Sequence, residues 1–244
     1  MIHPDWILPD WPAPPRVRAF VTTRAGGVSA GDYGSLNLGV RSGDDPDLVA
    51  RNRRLVGESL PSAPRWMAQV HGTQVLDLDG PAAGTPSADA AVTRAPATVA
   101  VVLTADCMPL LLCDRAGTVL AMAHAGWRGM SAGVIERTVA SMGVEAREVM
   151  AWMGPTIGPG AFEVGPEVRE AFVGVDEAAG EAFRAHRPGK FMADLYALAR
   201  QRLARSGVRE VHGGGFCTFS EEGRFFSYRR QSRSGRMGTF AWLE

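Results

Sequence analysis

The stretch VAVVLTADCMPLLLCDRAGTVLAMAHAGWRG, residues 99–129, decides the fold of this chain. It contains three short apolar runs, at residues 99–103, 108–113 and 118–123, and polar or glycine-containing segments separate them. Continuous apolar runs of this length indicate strands that are buried on both faces of a sheet. We therefore predict that this stretch forms the centre of a buried β-structure, on which the other segments pack.

Reactive side chains stand where these runs end. Cys107 follows the first run, and His124 follows the third run and precedes Ala-Gly-Trp-Arg-Gly. His71 ends another predicted strand and is followed by glycine. Imidazole nitrogen and thiolate sulfur are good ligands for zinc or copper, and three protein ligands leave a fourth position for water or substrate. The trio His71, Cys107 and His124 is therefore a candidate catalytic metal site.

Two other interpretations of this trio stay open at the level of composition and spacing. Cys107 can be a small buried apolar side chain, with His124 as a core histidine. Alternatively, Cys107 can be a nucleophile with His124 as its base. Asp106 joins such a site only if the strand is broken there, because neighbouring strand residues point to opposite faces. The proline at position 109 predicts that break.

Three of the remaining cysteines and histidines have other expected roles. Cys113 falls within an apolar run, so we expect it in the core rather than at a ligand position. His212 and Cys217 are candidates for a fourth ligand, which would make the metal structural instead of catalytic.

Arginines beside glycines, aromatic residues or strand ends are candidates for binding phosphate or carboxylate, since guanidinium makes bidentate hydrogen bonds. They include Arg24, Arg128, Arg229 and Arg230, each of which is also compatible with ordinary surface charge.

Composition excludes several classes of protein. Lys plus Arg and Asp plus Glu both number 26 in the 244 residues, so no net charge attracts nucleic acid or an anionic membrane. Three irregularly spaced cysteines do not form a secreted disulfide framework. No apolar run approaches the roughly 20 residues that span a bilayer, and the first residues lack the pattern of a signal peptide. We expect a cytoplasmic protein.

The rest of the chain alternates between strand and helix patterns. Strands are predicted at residues 17–22, 65–70, 74–78, 148–153 and 208–211, helices at 130–142, 166–173, 177–186 and 193–205, and a Pro/Gly/Ala/Ser-rich loop at 80–87. A further helix begins at Asp45 and Pro46, because aspartate caps helices and proline suits their first turn. We predict one mixed α/β (α+β) domain over residues 16–244, preceded by an irregular segment at residues 1–15.

A series of motifs resembles one bacterial family. In chain order they are TTRAGGVS, SLNLG, QVHG, ADAAVT, TADCMPLLLCD, HAGWRG, GPTIGPGAFEVG and FFSYRR followed by GR, and they extend from about residue 21 to residue 243. The family is the laccase-domain family, once called multicopper polyphenol oxidoreductases and now described as purine nucleoside phosphorylases. Its bacterial members are also called peptidoglycan editing factors.

The resemblance implies a fold, a metal and a set of substrates. The fold is a single domain with central β-sheets packed between helical layers. The metal is zinc, held by His71, Cys107 and His124; copper is disfavoured, because a multicopper enzyme needs more His and Cys ligands than this chain contains. The substrates are purine nucleosides (adenosine, inosine, guanosine and methylthioadenosine) with phosphate, and adenosine is also deaminated. One departure is Thr156, where many relatives have cysteine.

A mechanism follows from these expectations. Asp106 is the candidate for handling the proton of the leaving purine, and Arg24, Arg128 and Arg229 are candidates for holding phosphate. Cys107 and His124 are expected to be both metal ligands and catalytic residues. The alternative function is a zinc-independent Cys–His hydrolase or amidase that edits peptidoglycan precursors. We expect a monomer or a weak homodimer.

Overall fold

The computed structural model describes residues 2–81 and 84–244, which form twelve strands and five α-helices. The strands are β1 (Val17–Val21), β2 (Val75–Asp77), β3 (Ala90–Thr93), β4 (Ala100–Thr104), β5 (Met108–Asp114), β6 (Leu120–Ala125), β7 (Val149–Met153), β8 (Glu163–Val164), β9 (Phe183–Ala185), β10 (Phe191–Ala193), β11 (Glu210–Gly213) and β12 (Met237–Leu243). The helices are α1 (Pro46–Gly57), α2 (Trp127–Ser131), α3 (Val134–Ser141), α4 (Pro166–Val173) and α5 (Leu195–Arg205). Residues 82 and 83 of the predicted loop at 80–87 lie outside the described residues.

Two sheets contain the strands of the deciding stretch. β5 and β6 are adjacent in a six-stranded sheet of order β11-β7-β5-β6-β3-β2, and every residue of both strands is buried. β4 belongs instead to a three-stranded sheet of order β1-β12-β4. The three predicted strands are therefore confirmed, but the stretch connects two sheets rather than forming the centre of one.

The two sheets pack face to face, and helices cover their outer faces. Leu111 and Trp152 of the larger sheet meet Val102 of the smaller one in a shared apolar core. The opposite face of the larger sheet packs against α3, α4 and α5, whereas Val56 of α1 joins Phe20 and the other aromatic residues outside the smaller sheet. The mixed α/β fold with central sheets between helical layers is thus confirmed.

Two predicted helices have a different form. The helix predicted at 130–142 is divided into α2 and α3, because Gly133 adopts a φ of 98°, which a continuous helix does not contain. The helix predicted at 177–186 is a short 3₁₀ helix followed by β9. β9 and β10 form a hairpin whose turn includes Gly189 at φ 70°, so strand pairing wins over helix formation there.

Two predictions about strands are also wrong. Residues 65–70 form no strand. The N–H of Arg65 donates to the carbonyl of Val99, and that of Ala68 donates to the carbonyl of Pro86, so the segment does not pair continuously with a single strand. Pro109 does not interrupt a strand: it lies within β5, opposite His124 of β6. Its missing N–H is tolerated near the start of the strand, and the break comes earlier, between β4 and β5.

The chain before β1 contains no helix or strand from residue 2 onward. An isolated bridge joins Ile7 to Val21, and the ring of Trp6 stacks on Phe20 with 4.9 Å between ring centroids. The domain boundary at residue 16 stays a prediction. No helix in the described part of the chain has the length and apolar character needed to cross a membrane.

Candidate metal centre

The side chains of His71, Cys107 and His124 converge beside one end of the larger sheet. Cys107 directly precedes β5, His124 is near the end of β6, and His71 lies in the loop before β2. One potential ligand atom from each residue lies within 4.8 Å of those of the others, and 3.8 Å separates Cys107 Sγ from His71 Nε2. His124 is buried and His71 is exposed, so the group opens to solvent on the His71 side. This His–Cys–His group can bind a metal ion.

Asp89 organises two of these three residues, although its side chain is fully buried. Its Oδ1 accepts hydrogen bonds from His124 Nδ1 at 2.8 Å and from the N–H of His71 at 2.9 Å. Its Oδ2 accepts from the N–H groups of Gly72 at 2.7 Å and Val70 at 3.1 Å. Since Nδ1 of His124 is occupied by Asp89, its Nε2 is left for the metal group, as in many carboxylate–histidine–metal arrangements.

Sequence reasoning missed Asp89 as a site residue. A signal was present, because an aspartate between Ala88 and Ala90, beside a strand whose residues are all buried, needs partners for its charge. The structure supplies four of them. Burial by itself raises the pKa of Asp89, but the hydrogen bonds from His124, Gly72 and Val70 hold that pKa below its ordinary value. The carboxylate is therefore ionised at neutral pH.

The backbone beside two of the ligands has an unusual conformation. His71 has a φ of 59°, and Asp106, next to Cys107, has a φ of 87°. Residues other than glycine rarely adopt such positive values. Asp89 fixes the first, through three consecutive N–H groups. Around Asp106, the carbonyl oxygen accepts hydrogen bonds from the N–H of Ile157 at 3.0 Å and from the hydroxyl of Thr156. Backbone strain of this kind is concentrated at functional sites.

The glycine of the HAGWRG motif leaves room for the thiol. A Cβ at Gly126 would lie 2.7 Å from Cys107 Sγ and 3.2 Å from His71 Cδ2. Both distances are shorter than ordinary van der Waals contact. Any larger residue at this position would therefore displace two of the three candidate ligands.

The charges of the group stabilise a thiolate. Burial raises the pKa of Cys107, but the charge and hydrogen bonds of His124 and His71 outweigh it and lower this pKa to about 6. Burial likewise lowers the pKa of His124, and the thiolate of Cys107 and the carboxylate of Asp89 raise it to about 9. Thiolate is the form of cysteine that binds metals and acts as a nucleophile.

The carboxylate of Asp106 is hydrogen-bonded to residues outside this group. Its Oδ1 accepts a hydrogen bond from the Thr218 hydroxyl and its Oδ2 one from the N–H of Arg229, both at 2.6 Å. The guanidinium of Arg229 turns to the carbonyl of Glu163 at 2.7 Å and lies over the ring of Phe162. The role of Asp106 in proton transfer stays a prediction.

The other two predicted arginines contact different residues. Arg24 is half-buried, donates to the carbonyls of Gly34 and Glu222, and lies over the ring of Phe226. Arg128 is exposed on α2, with its guanidinium over the neighbouring Trp127. Among the described residues, Arg24, Arg128 and Arg229 have different hydrogen-bond and ring partners, and their joint role in holding phosphate stays a prediction.

The remaining candidates lie outside the metal group. His212 pairs with Glu210 at 3.3 Å, and the sulfur of Cys217 accepts a hydrogen bond from the N–H of Gly158 at 3.2 Å. Cys113 is fully buried in the core between the sheets, which raises the pKa of its thiol to about 12. Among the residues that the structure describes, one group of three or more His, Cys, Asp or Glu side chains has metal-binding separations, and it contains three protein ligands.

The donor set fits a zinc ion with an open position. Two imidazoles and one thiolate are ligands that zinc accepts, and catalytic zinc sites have three protein ligands. The lowered pKa of Cys107 favours the thiolate that metal binding needs. The carboxylate of Asp89 orients the ring of His124, and Gly126 leaves space for the sulfur.

Comparisons with known proteins agree with this organisation. A family model described as multi-copper polyphenol oxidoreductase laccase matches residues 18–244. The chain is 54% identical to the purine nucleoside phosphorylase PA4543 of Pseudomonas aeruginosa, over 98% of each chain. It is 52% identical to the purine nucleoside phosphorylase YfiH of Escherichia coli, over 97% of this chain and 98% of that protein. The crystal structure of the Neisseria meningitidis protein NMB0706 superposes with a TM-score of 0.94 at 48% identity, covering 98% of this chain and 99% of that one.

Proposed function

Because the chain belongs to the multi-copper polyphenol oxidoreductase laccase family, we propose that it is a zinc-dependent purine nucleoside phosphorylase. The observation that carries the proposal is the open group of His71, Cys107 and His124, oriented by Asp89. The names of the relatives at 52–54% identity support the reaction. The donor set supports the metal, since a thiolate and two imidazoles with a free position are typical of catalytic zinc.

Copper oxidase chemistry is the weaker candidate for this site. A multicopper oxidase holds several copper ions, each with its own His and Cys ligands. The chain contains five histidines and three cysteines in all, and Cys113 is enclosed in the core. In the described part of the chain, a single group of these side chains has the required separations.

Phosphorolysis transfers the ribose from the purine to phosphate, and the protein must assist each part of this reaction. A phosphate oxygen attacks the anomeric carbon of the ribose, the bond from that carbon to the purine nitrogen breaks, and the purine leaves with the bonding electrons and takes up a proton. A zinc ion, when bound, supplies Lewis-acid polarisation of an oxygen. In the proposal, Asp106 handles the proton and Arg24, Arg128 and Arg229 contribute positive charge toward phosphate. Asp89 keeps the His124 ring in its tautomer.

The proposed substrates are adenosine, inosine, guanosine and methylthioadenosine, with adenosine deamination as a second activity of the same centre. Hydrolytic removal of the purine amine also uses a metal-activated water in other enzymes. Three free cysteines, one of them a candidate metal ligand, suit a reducing compartment, which supports a cytoplasmic location. The proposal includes action as a monomer or weak homodimer.

The test combines metal analysis with product identification. The purified protein is analysed for zinc and copper and incubated with each nucleoside, with and without phosphate. Free purine and ribose 1-phosphate that form only with phosphate support phosphorolysis, whereas inosine from adenosine without phosphate supports deamination. Cys107→Ala should lose zinc and turnover together. Cys113→Ala is the matched control, because Cys113 lies in β5, the strand that follows Cys107, and outside the group. Full activity of Cys107→Ala without zinc would overturn the proposal.

One observation favours a second candidate, a Cys–His hydrolase or amidase acting on peptidoglycan precursors. The pair of Cys107 and His124 favours thiolate without any metal, as a cysteine nucleophile requires. Chelation separates the two functions. Loss of activity with a chelator and recovery with Zn²⁺ support the metal enzyme. Activity toward an amide that survives chelation and is lost on treatment with iodoacetamide supports the hydrolase.

A further inference from the structure

Arg236 lies beside the metal group because of the strand register. β12 pairs antiparallel with β4, and its first residue, Met237, is opposite Thr104. Extending this register by one residue places Arg236 opposite Ala105, immediately before Asp106 and Cys107. The arginine at the entrance to β12 therefore stands next to the segment that carries a candidate ligand.

The stem of Arg236 is held firmly. Its backbone N–H donates to Asn37 Oδ1 at 2.9 Å, and its Nη1 donates to the carbonyls of Ser234 at 2.7 Å and Gly235 at 2.9 Å. The side-chain carbons cross Gly39 so closely that a Cβ there would lie 2.7 Å from Arg236 Cγ. This anchoring fixes the guanidinium in place and leaves Nε and Nη2 without a hydrogen-bond partner among the described residues.

The guanidinium also lacks an ion-pair partner in the described part of the chain. Within residues 2–81 and 84–244, no carboxylate oxygen lies within 4.0 Å of its nitrogens, although the side chain is partly buried. Burial lowers the pKa of Arg236, and the charges of Cys107 and Asp106 oppose that shift, so both groups are within electrostatic range. A partly desolvated cation with unused donors is costly unless an anion completes it.

Arg236 differs in this respect from the neighbouring arginines. In Arg230, Nη1 donates hydrogen bonds to the carbonyls of Thr218 and Phe219, and Nη2 donates to that of Phe225. Both terminal nitrogens of its guanidinium are therefore bonded to the backbone. Nε and Nη2 of Arg236 have no hydrogen-bond partner among the residues that the structure describes. Two adjacent N–H groups of this kind form the fork that binds two oxygens of one phosphate.

We propose that Arg236 binds the phosphate co-substrate at the metal centre, through its free Nε and Nη2 groups. This inference rests on the proposed function, since it assigns the phosphate position of that site. Arg236 would hold the attacking anion beside the metal group, while the metal ligands themselves stay unchanged.

The kinetic test compares three variants at saturating inosine. Arg236→Gln should raise the KM for phosphate by about 10- to 100-fold, the scale of one lost charge-assisted interaction, with zinc content and the KM for inosine within twofold of the unsubstituted protein. Arg236→Lys keeps the charge but not the fork and should recover part of the loss. Arg233→Gln is the matched control, because Arg233 is exposed and near Asp32, and its KM for phosphate should not change. An unchanged phosphate KM in Arg236→Gln would overturn the assignment.

A second measurement needs neither a variant nor turnover. Phenylglyoxal modifies accessible arginines, and mass spectrometry locates the modified residues in the unsubstituted, zinc-loaded protein. Inorganic phosphate should protect Arg236 and leave Arg233 modified to the same extent. Protection without any nucleoside cleavage would keep the anion site and reject phosphorolysis. Equal modification of Arg236 with and without phosphate would reject the anion site, whatever the enzyme activity.

Discussion

Replacing Asp89 by asparagine tests whether a buried carboxylate organises the candidate metal centre. The variant is nearly isosteric, but asparagine has one acceptor oxygen where aspartate has two. In either orientation of the amide, two of the four N–H donors around position 89 lose their acceptor and face an NH₂ group. A buried donor left unsatisfied costs about 1–3 kcal/mol. The free energy of unfolding should therefore fall by about 2–6 kcal/mol.

The same substitution should also lower metal affinity, in addition to lowering the stability of the fold. Asp89 holds the tautomer of His124 and the backbone of His71, so two of three candidate ligands lose their orientation. Loss of such an outer partner typically reduces metal affinity by about 10–100-fold. Urea unfolding of metal-free protein gives the stability change, and competition with a chelator under folding conditions gives the zinc affinity.

The matched control is Asp114→Asn. Asp114 is also a buried carboxylate, and it accepts hydrogen bonds from the N–H groups of Thr118 and Val119 and from the Thr118 hydroxyl, far from any candidate ligand. It should lose stability while keeping its zinc affinity. Zinc affinity of Asp89→Asn within twofold of the unsubstituted protein would refute the assigned role of Asp89.

Acid should destabilise the protein for the same reason. The pKa of Asp89 and that of Asp114 lie below their ordinary value in the folded state. Their stabilisation is therefore complete above the unfolded-state pKa of about 3.9, and it is lost as the pH falls through the folded-state values.

Three further predictions concern single positions. Iodoacetamide should alkylate Cys107 of the metal-free protein at a rate that rises with pH through about 6 and then levels off, while Cys113, with a pKa of about 12, stays unmodified by mass spectrometry; a rate still climbing at pH 9 would contradict this. Gly126→Ala should lower zinc affinity in a chelator titration, whereas Gly160→Ala, which meets nothing within 4 Å, should not. Thr156→Val should lower the free energy of unfolding by about 0.5–1.5 kcal/mol in urea, because the hydroxyl donates to the Asp106 carbonyl; equal stability would deny that bond a role.

The sequence predicts the central buried strands of this fold well and their partners poorly. Apolar runs located β4, β5 and β6 to within two residues, because burial on both faces leaves an unmistakable composition. The composition of those runs does not predict that β4 pairs with β12, more than a hundred residues away, instead of with β5. The register between distant strands depends on the whole fold, which local patterns do not encode.

The candidate site shows the same division. Ligand types and their positions at strand ends were visible in the sequence, and the structure brings His71, Cys107 and His124 together. Asp89 and Arg236 were not predicted, because their importance comes from position. Asp89 is enclosed among four donors. Arg236 is partly buried and has no carboxylate partner within the described residues. Partners and the lack of partners are properties of three-dimensional packing.

The centre is held in shape by protein contacts that do not involve a metal. Asp89 fixes the backbone at His71 and the ring of His124, while the Asp106 turn is fixed by hydrogen bonds from Ile157 and Thr156 and by the Thr218 hydroxyl. These contacts join loops from distant parts of the chain to one edge of the packed sheets. An ion entering such a site meets ligands that are already oriented, so its binding energy is not spent on ordering the loops. The fold therefore positions the chemistry, and substitutions in the supporting contacts should change metal affinity without touching a ligand.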